Sequence, residues 1–453
     1  MAQTRPILAT LAADLAAGRT TSRELVETAL ARIADPEGEG SRVFVKVYDA
    51  AARAAADAQD RLRAAGYVAS PLAGIPVSIK DLFDVAGEVT LAGSRALDDT
   101  PPAEADAPIV ARLKAAGAVI IGRTNMTEFA FSGVGINPHY GTPGNPYDRS
   151  LIPGGSSAGA PVSVADGMAV VAIGTDTGGS VRIPAALCGL VGFKPTQYRV
   201  PREGATPLSA TLDSIGPIGL SVGCCALTDA VMAGEKPEAP GAIGVDGLRL
   251  GIPQTVMLDD LEEPVAAAFE RAISSLSRAG ARITELPLGM LGDLTRINVK
   301  GGLPVAEAFA WHEKLIERRG RDYDPRIRTR IGRGRDMTAA EYIRLLEGRA
   351  DFIRRFDAET DAFDALVMPT VPMTAPPIAA FARDEDYARL NVKLLRNTSI
   401  INFVDRCALT LPIEMPSTAP VGLMVVGRQG EDRRLLAIGR GIEEKLTTET
   451  QRQ

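Results

Sequence analysis

The chain has 453 residues, 45% of them apolar and 23% charged, with a formal net charge of −6. That composition is ordinary for a soluble globular protein and excludes disordered and low-complexity readings. The acidic balance argues against a general polyanion-binding surface, because phosphate backbones select for an excess of Lys and Arg, so no nucleic-acid partner is expected. The length exceeds the usual single-core size, yet several α/β architectures of this size behave as one domain.

Taken in order, residues 1–18 superficially resemble a signal segment, but Asp14 interrupts an apolar run that is already short. The spacing of Ile7, Leu8, Leu11 and Leu15 predicts an amphipathic helix instead. No window approaches the roughly eighteen apolar residues of a membrane span, so a cytoplasmic protein is expected. Thr21 and Glu24 form a capping box ahead of Leu25, Val26, Ala29 and Ile33 on one helical face. An Ala- and Arg-rich helix over 51–65 stops at Gly66. Residues 74–81 read as a short apolar strand ending on Lys80, and Asp81 beside it points to the opposite face, which assigns it a structural role. Residues 107–125 predict helix, glycine turn and a buried strand at 118–122, the alternation of α/β layers. The following segment, to about residue 148, is rich in Gly, Pro and Asn, and long loops in compact domains are often functional.

Residues 153–184 place two glycine-plus-serine loops around a compact apolar segment. Gly154, Gly155, Gly178 and Gly179 can turn sharply and expose backbone N–H groups, with Ser156 and Ser157 in the first loop and Ser180 in the second. Between them, 163–173 predicts a buried helix that returns the chain to the same place. Further on, a strand at 248–253, a helix at 263–279 and a strand at 281–286 make another α/β unit. Residues 293–360 read as charged helices, and the Arg-rich stretch 321–336 reads as a solvated face because Asp322, Asp324 and Asp336 are mixed into it. Strand-like runs at 365–368, 408–411 and 420–427 precede a closing helix at 432–446. Cys188, Cys224, Cys225 and Cys407 have no CxxC spacing and no nearby histidines, so no metal site is expected and a reducing compartment fits.

A serine hydroxyl is a weak nucleophile at its free pKa and needs a base within reach. The two histidines, His139 and His312, read as loop or helix-surface residues. Lys80 can serve instead, provided burial depresses its pKa. Holding it neutral at pH 7 takes roughly 4 to 5 kcal/mol of differential stabilisation, which only a core supplies.

Lys80 after its apolar strand, the GGSS loop at 154–157 and the run GTDTGGSVRIPAALCGLVGFKPT at 174–196 together resemble the amidase signature family. The resemblance reaches from the N-terminal helices to MPTVPMTAP at 368–376 and PVGLMVVG at 420–427. It implies a single α/β domain with a central mixed sheet covered by helices on both faces. Within it, 1–66 would be N-terminal helices, 67–230 the catalytic core and 293–360 a variable region shaping the substrate pocket, where Trp311, His312 and Tyr342 would lie. It further implies a Ser-Ser-Lys triad: Ser180 the nucleophile, Ser156 a bridging serine on a cis peptide bond, and Lys80 the base. The N–H groups of Thr177, Gly178, Gly179 and Ser180 would form the oxyanion hole. Ser157 would support the loop, and Asp176 and Arg182 would orient it by charged hydrogen bonds. Phe129, Phe131, Ser132 and Gly133 would contact substrate, and the apolar 129–131 region favours an aryl or alkyl acyl group over a charged one. The segment 206–222 would close over the loop, fastened by Asp213 and Ser214. The implied reaction is hydrolysis of a small-molecule amide without metal or organic cofactor, and relatives of this kind are often dimers.

One departure is that 402–407 reads NFVDRC where many relatives place a Gly-x-Pro step, so an altered pocket edge is expected. Residues 155–159 also satisfy G-x-S-x-G with Ser157 central, but that elbow needs a strand before it and loop precedes it here. Two further readings keep the fold. One is the glutaminase component of a tRNA-dependent amidotransferase, although Leu394, Leu395 and Arg396 occupy the neighbourhood where such components carry an acid for the glutamine ammonium. The other, a catalytically silent binding module, is disfavoured by the presence of Lys80, Ser156 and Ser180.

Overall fold

In the computed structural model, which describes residues 5–414 and 419–450, eleven strands form one mixed sheet. In chain order they are β1 (Phe44–Val47), β2 (Pro76–Lys80), β3 (Val119–Thr124), β4 (Val171–Asp176), β5 (Val191–Lys194), β6 (Ser214–Gly219), β7 (Arg249–Pro253), β8 (Arg282–Leu286), β9 (Ala365–Pro369), β10 (Ala408–Glu414) and β11 (Val421–Val426). Across the sheet they run β1-β3-β2-β4-β6-β5-β10-β11-β9-β7-β8. Parallel pairs β3/β2/β4 and β9/β7/β8 flank an antiparallel middle.

Successive side chains of a strand face opposite sides. Here both sides are covered. Val171 and Ile173 enter one apolar cluster and Ala172 another, and Leu409 and Leu411 separate from Ala408 in the same way. Strands buried on both faces read as near-continuous apolar runs, which is why they stand out in the sequence.

The helix Leu8–Ala16 buries Leu8, Leu11 and Leu15, whereas Ile7 precedes it and is 38% exposed, so it does not share the buried face. The helix Ser22–Ala34 starts on the expected capping box: the Thr21 hydroxyl accepts the Glu24 N–H and the Glu24 carboxylate accepts the Thr21 N–H. Such a cap contributes about 1 kcal/mol. One element differs from the sequence reading. Residues 163–173 are not a single helix; a short helix, Gly159–Ala165, ends at Gly167 with φ +70°, and β4 begins at Val171. Glycine permits that left-handed turn, and the β-branched run that follows gains two neighbouring strands, β2 and β6.

The 293–360 segment is helical, chiefly Gly302–Arg319, Pro325–Gly332 and Ala339–Thr360. No helix among the described residues is long and apolar enough to cross a membrane. All four cysteines are buried and unbridged.

Candidate active site

Lys80 closes β2, and the adjacent β4 brings Thr175 and Asp176 to the same end of the sheet. Lys80 Nζ lies 2.8 Å from Ser156 Oγ and 2.8 Å from Thr175 Oγ1. The Gly155–Ser156 peptide is cis. Lys80 and Ser156 are fully buried and Ser180 is 3% exposed. Burial lowers the Lys80 pKa to about 7, against an upward pull from Asp213 and Asp176. Among the described residues Lys80 has no carboxylate in salt-bridge contact, so its two near neighbours are hydroxyls.

The two loops interlock. The Ser157 N–H donates to the Ser180 carbonyl at 3.3 Å, and Ser157 Oγ donates to the Thr175 carbonyl at 3.4 Å. Asp176 gathers the second loop: its carboxylate accepts the N–H groups of Gly179, Val181 and Arg182 at 2.9, 3.1 and 3.3 Å, and the Arg182 guanidinium at 2.9 and 3.0 Å. Burial alone would raise this carboxyl, but the Arg182 guanidinium holds it well below the usual carboxylate range. Asn402 completes the arrangement, donating through Nδ2 to Asp176 and accepting Arg182 at Oδ1.

This pattern corrects one expectation. The Gly179 N–H is committed to Asp176, so it is not a free donor for an oxyanion. The N–H groups of Thr177, Gly178 and Ser180 donate to no other described residue and remain available. The loop is held from outside as well: Thr177 Oγ1 donates to Asp213 at 2.5 Å, and Thr398 Oγ1 donates to the Gly178 carbonyl at 2.6 Å. Gly179 has φ +131°, and a Cβ there would meet Thr398 Oγ1 at 2.2 Å, so only glycine fits. Asp213, which also accepts the N–H groups of Leu208 and Ser209, is pushed up by burial to about 6. Ser214 Oγ donates to the Asp176 carbonyl at 3.0 Å. A cavity of about 120 Å³ is lined by Thr175, Thr177, Asp213, Ala130 and Arg202 among others; Thr175, the hydroxyl partner of Lys80, borders it, whereas Lys80, Ser156 and Ser180 do not.

The Gly133 carbonyl accepts the Gly155 N–H at 2.8 Å, which sets the 129–133 segment against the first loop. Phe129 is spent on core packing, with ring centroids 4.3 Å from His312 and 5.0 Å from Tyr323. Phe131 lies under Arg330, and Ser132 Oγ bonds to Asn391 and Tyr387. Neither histidine bonds to a serine of the two loops. His139 sits 2.8 Å from Glu128. His312 is buried rather than on a helix surface, paired with Tyr323, and burial lowers its pKa to about 3. Trp311 packs on His312, and Tyr342 bonds to Glu307 instead of lining this cavity. Asp81 is structural, bonded to Arg123 at 2.8 Å.

Sequence reasoning missed Thr175, Thr398 and Asn402. Thr175 lies inside the glycine-rich run, one strand over from Lys80, so the β2/β4 pairing was the signal needed. Asn402 falls in the stretch expected to alter a pocket edge; instead its amide braces Asp176 and Arg182, since an amide can both donate to a carboxylate and accept from a guanidinium. Among the described residues no cluster of His, Cys, Asp or Glu is arranged to hold a metal.

The comparisons with known proteins agree with this architecture. The family model described as Amidase matches residues 24–436. The chain is 40% identical to 2-amino-5-chloromuconic acid deaminase of Comamonas testosteroni, over 88% of this chain and 87% of that protein. It is 36% identical to a glutamyl-tRNA(Gln) amidotransferase component from Chloroflexus aggregans, over 97% of this chain and 96% of that one. A crystal structure of an amidase superposes with a TM-score of 0.87 at 33% identity, covering 97% of this chain and 100% of that one. The chain belongs to the amidase family, the amidase-signature hydrolases that act on C–N bonds.

Proposed function

We propose that this enzyme hydrolyses a small-molecule carboxamide through an acyl-Ser180 intermediate, with Lys80 as base and Ser156 as proton relay. The observation that carries the reading is a fully buried lysine, its pKa lowered to about 7, bonded to the Ser156 hydroxyl. Neutral Lys80 takes the Ser156 proton as Ser156 takes that of Ser180, and Ser180 Oγ adds to the amide carbon. The N–H groups of Thr177, Gly178 and Ser180 receive the oxyanion, each such donor contributing roughly 3 kcal/mol. The C–N bond breaks as the proton returns through Ser156 to the leaving nitrogen. Water then adds to the acyl-enzyme by the same relay, so amide plus water becomes carboxylate plus ammonia or an amine. No step needs a metal or cofactor. The four unbridged cysteines support a reducing, cytoplasmic setting.

Labelling with a fluorophosphonate probe and peptide mapping tests the assignment. Modification at Ser180 that disappears in Lys80→Met supports both nucleophile and base. Modification at Ser157 overturns it.

A second reading, the glutaminase component of an amidotransferase, is favoured by 36% identity along 97% of the chain. Against it, Leu394 is buried and apolar where an ammonium-binding acid would stand. Co-purification with a larger partner and glutamine-dependent ammonia release would favour this second reading.

A further inference from the structure

The helices of 293–360 do not line the cavity beside Thr175 and Thr177, but a carboxylate on one of them reaches toward the second loop. Glu307, half-buried on the helix Gly302–Arg319, accepts four hydrogen bonds. One of its oxygens takes the Ser209 hydroxyl at 2.6 Å and the Thr211 N–H at 3.0 Å. The other takes the Thr211 hydroxyl and, at 2.8 Å, the Tyr342 hydroxyl from the helix Ala339–Thr360. Ser209 and Thr211 belong to a turn over 208–213, closed by the N–H groups of Leu212 and Asp213 donating to the Ser209 carbonyl at 3.1 and 2.9 Å.

That turn carries Asp213. One oxygen of the Asp213 carboxylate accepts the N–H groups of Leu208 and Ser209, and the other accepts the Thr177 hydroxyl. Among the described residues Asp213 forms no salt bridge, so its direction depends on these donors. Two of them come from the turn, and the third belongs to a residue whose own N–H is open in the second loop. Apolar packing of Leu212 with Leu303 and Leu345 keeps the turn against the helices, but apolar contact is non-directional. Gln197 and Arg202 hold the Ala210 carbonyl through exposed bonds that compete with water. A carboxylate that takes two hydroxyls and an N–H from one turn fixes its rotation as well as its distance.

We propose that Glu307 is a positioning residue for the reaction: it fixes the 208–213 turn so that Asp213 holds Thr177, and with Thr177 the open N–H donors of the second loop. The inference goes beyond the amidase reading and rests on it. It gives the charged helices a role in the reaction centre that does not require them to touch substrate.

Two readouts test it, the second-order rate of fluorophosphonate labelling at Ser180 and hydrogen exchange of the 207–213 amides, with thermal melting verifying that each variant is folded. Glu307→Met keeps the bulk of the side chain and removes every acceptor. It should slow labelling roughly tenfold to a hundredfold and speed exchange in the turn. Glu307→Gln should recover most of both, because its carbonyl can take Ser209 and the Thr211 N–H while its NH2 donates to the Thr211 and Tyr342 hydroxyls, which accept as well as donate. In an Asp213→Asn background Glu307→Met should add little to the loss of labelling, since groups acting through one another are not additive. Should Glu307→Met fail to fold, Ser209→Ala removes a donor from the other side of the brace and carries the same two readouts. Unchanged labelling or exchange in Glu307→Met, no recovery in Glu307→Gln, or losses that multiply in the double variant overturn the proposal. Absent labelling at Ser180 in the wild type fails the amidase reading instead, and the exchange comparison still decides whether Glu307 holds the turn.

Discussion

Two lysines end two buried strands, Lys80 at the close of β2 and Lys194 at the close of β5, and burial lowers the proton affinity of both. Their partners differ. Lys80 Nζ meets two hydroxyls, which accept from an ammonium or donate to a neutral amine. Lys194 Nζ donates at 2.7 Å to the Pro195 carbonyl, which can only accept, and Asp405 adds a pull toward the charged form. Burial by itself therefore does not make a base. A neutral amine keeps N–H donors but also has a lone pair that needs a donor, which the hydroxyls beside Lys80 can supply and the Pro195 carbonyl cannot.

The largest expected effect breaks the symmetry directly. Lys80→Met should cost about 10³- to 10⁴-fold in kcat/KM while the thermal melt stays cooperative, because the change removes the proposed general base. Loss of activity accompanied by unfolding would mean that Lys80, like Lys194, is structural. Next comes the support of the second loop. Arg182→Met leaves Asp176 charged and buried with its guanidinium gone, and urea unfolding should register a loss of about 3 to 5 kcal/mol.

The pH profile sharpens the comparison. In the proposed mechanism the reactive form of Lys80 is neutral, and its pKa is lowered to about 7, so kcat/KM should be flat above that pH and fall about tenfold per unit below it. Asp213 favours the ammonium form, so Asp213→Asn should move this acid limb to lower pH; an unmoved limb would separate the limb from Lys80. The smallest effect belongs to the other lysine. Lys194→Met should leave the position of the acid limb alone and destabilise the fold by about 1 to 3 kcal/mol, the cost of stranding the Pro195 carbonyl, read as a lower melting temperature.

Much of this was legible in the chain itself. The run ending at Lys80 is apolar because β2 is buried along its whole length, and the capping box at Thr21 and Glu24 is a local device that needs no tertiary partner. Asp176 and Arg182 could be paired from sequence because six residues around a tight turn bring them together. Thr175, Thr398 and Asn402 were not legible. Hundreds of residues separate the last two from the loop they brace, and nothing in a helix rich in ordinary polar residues marks which ones turn inward.

The second glycine-serine loop shows the division most clearly. Its glycines and serines announce a turn with exposed N–H groups, but which donors stay free depends on where the Asp176 carboxylate points, and it takes Gly179 and passes over Ser180. The arginines of 321–336 make the same point: Arg326 and Arg330, partly drawn in from water over the Tyr387 and Phe131 rings, carry no mark in the sequence that separates them from their exposed neighbours. Sequence by itself marked β2, β3 and β7 to β11, though not β1, β4, β5 or β6, together with the reactive residue types and the order in which they arrive, because burial on both faces and local turns leave periodic and compositional traces. The tertiary structure decided which polar groups are already satisfied and which are left open, because hydrogen bonds between distant segments are set by geometry that no local pattern records.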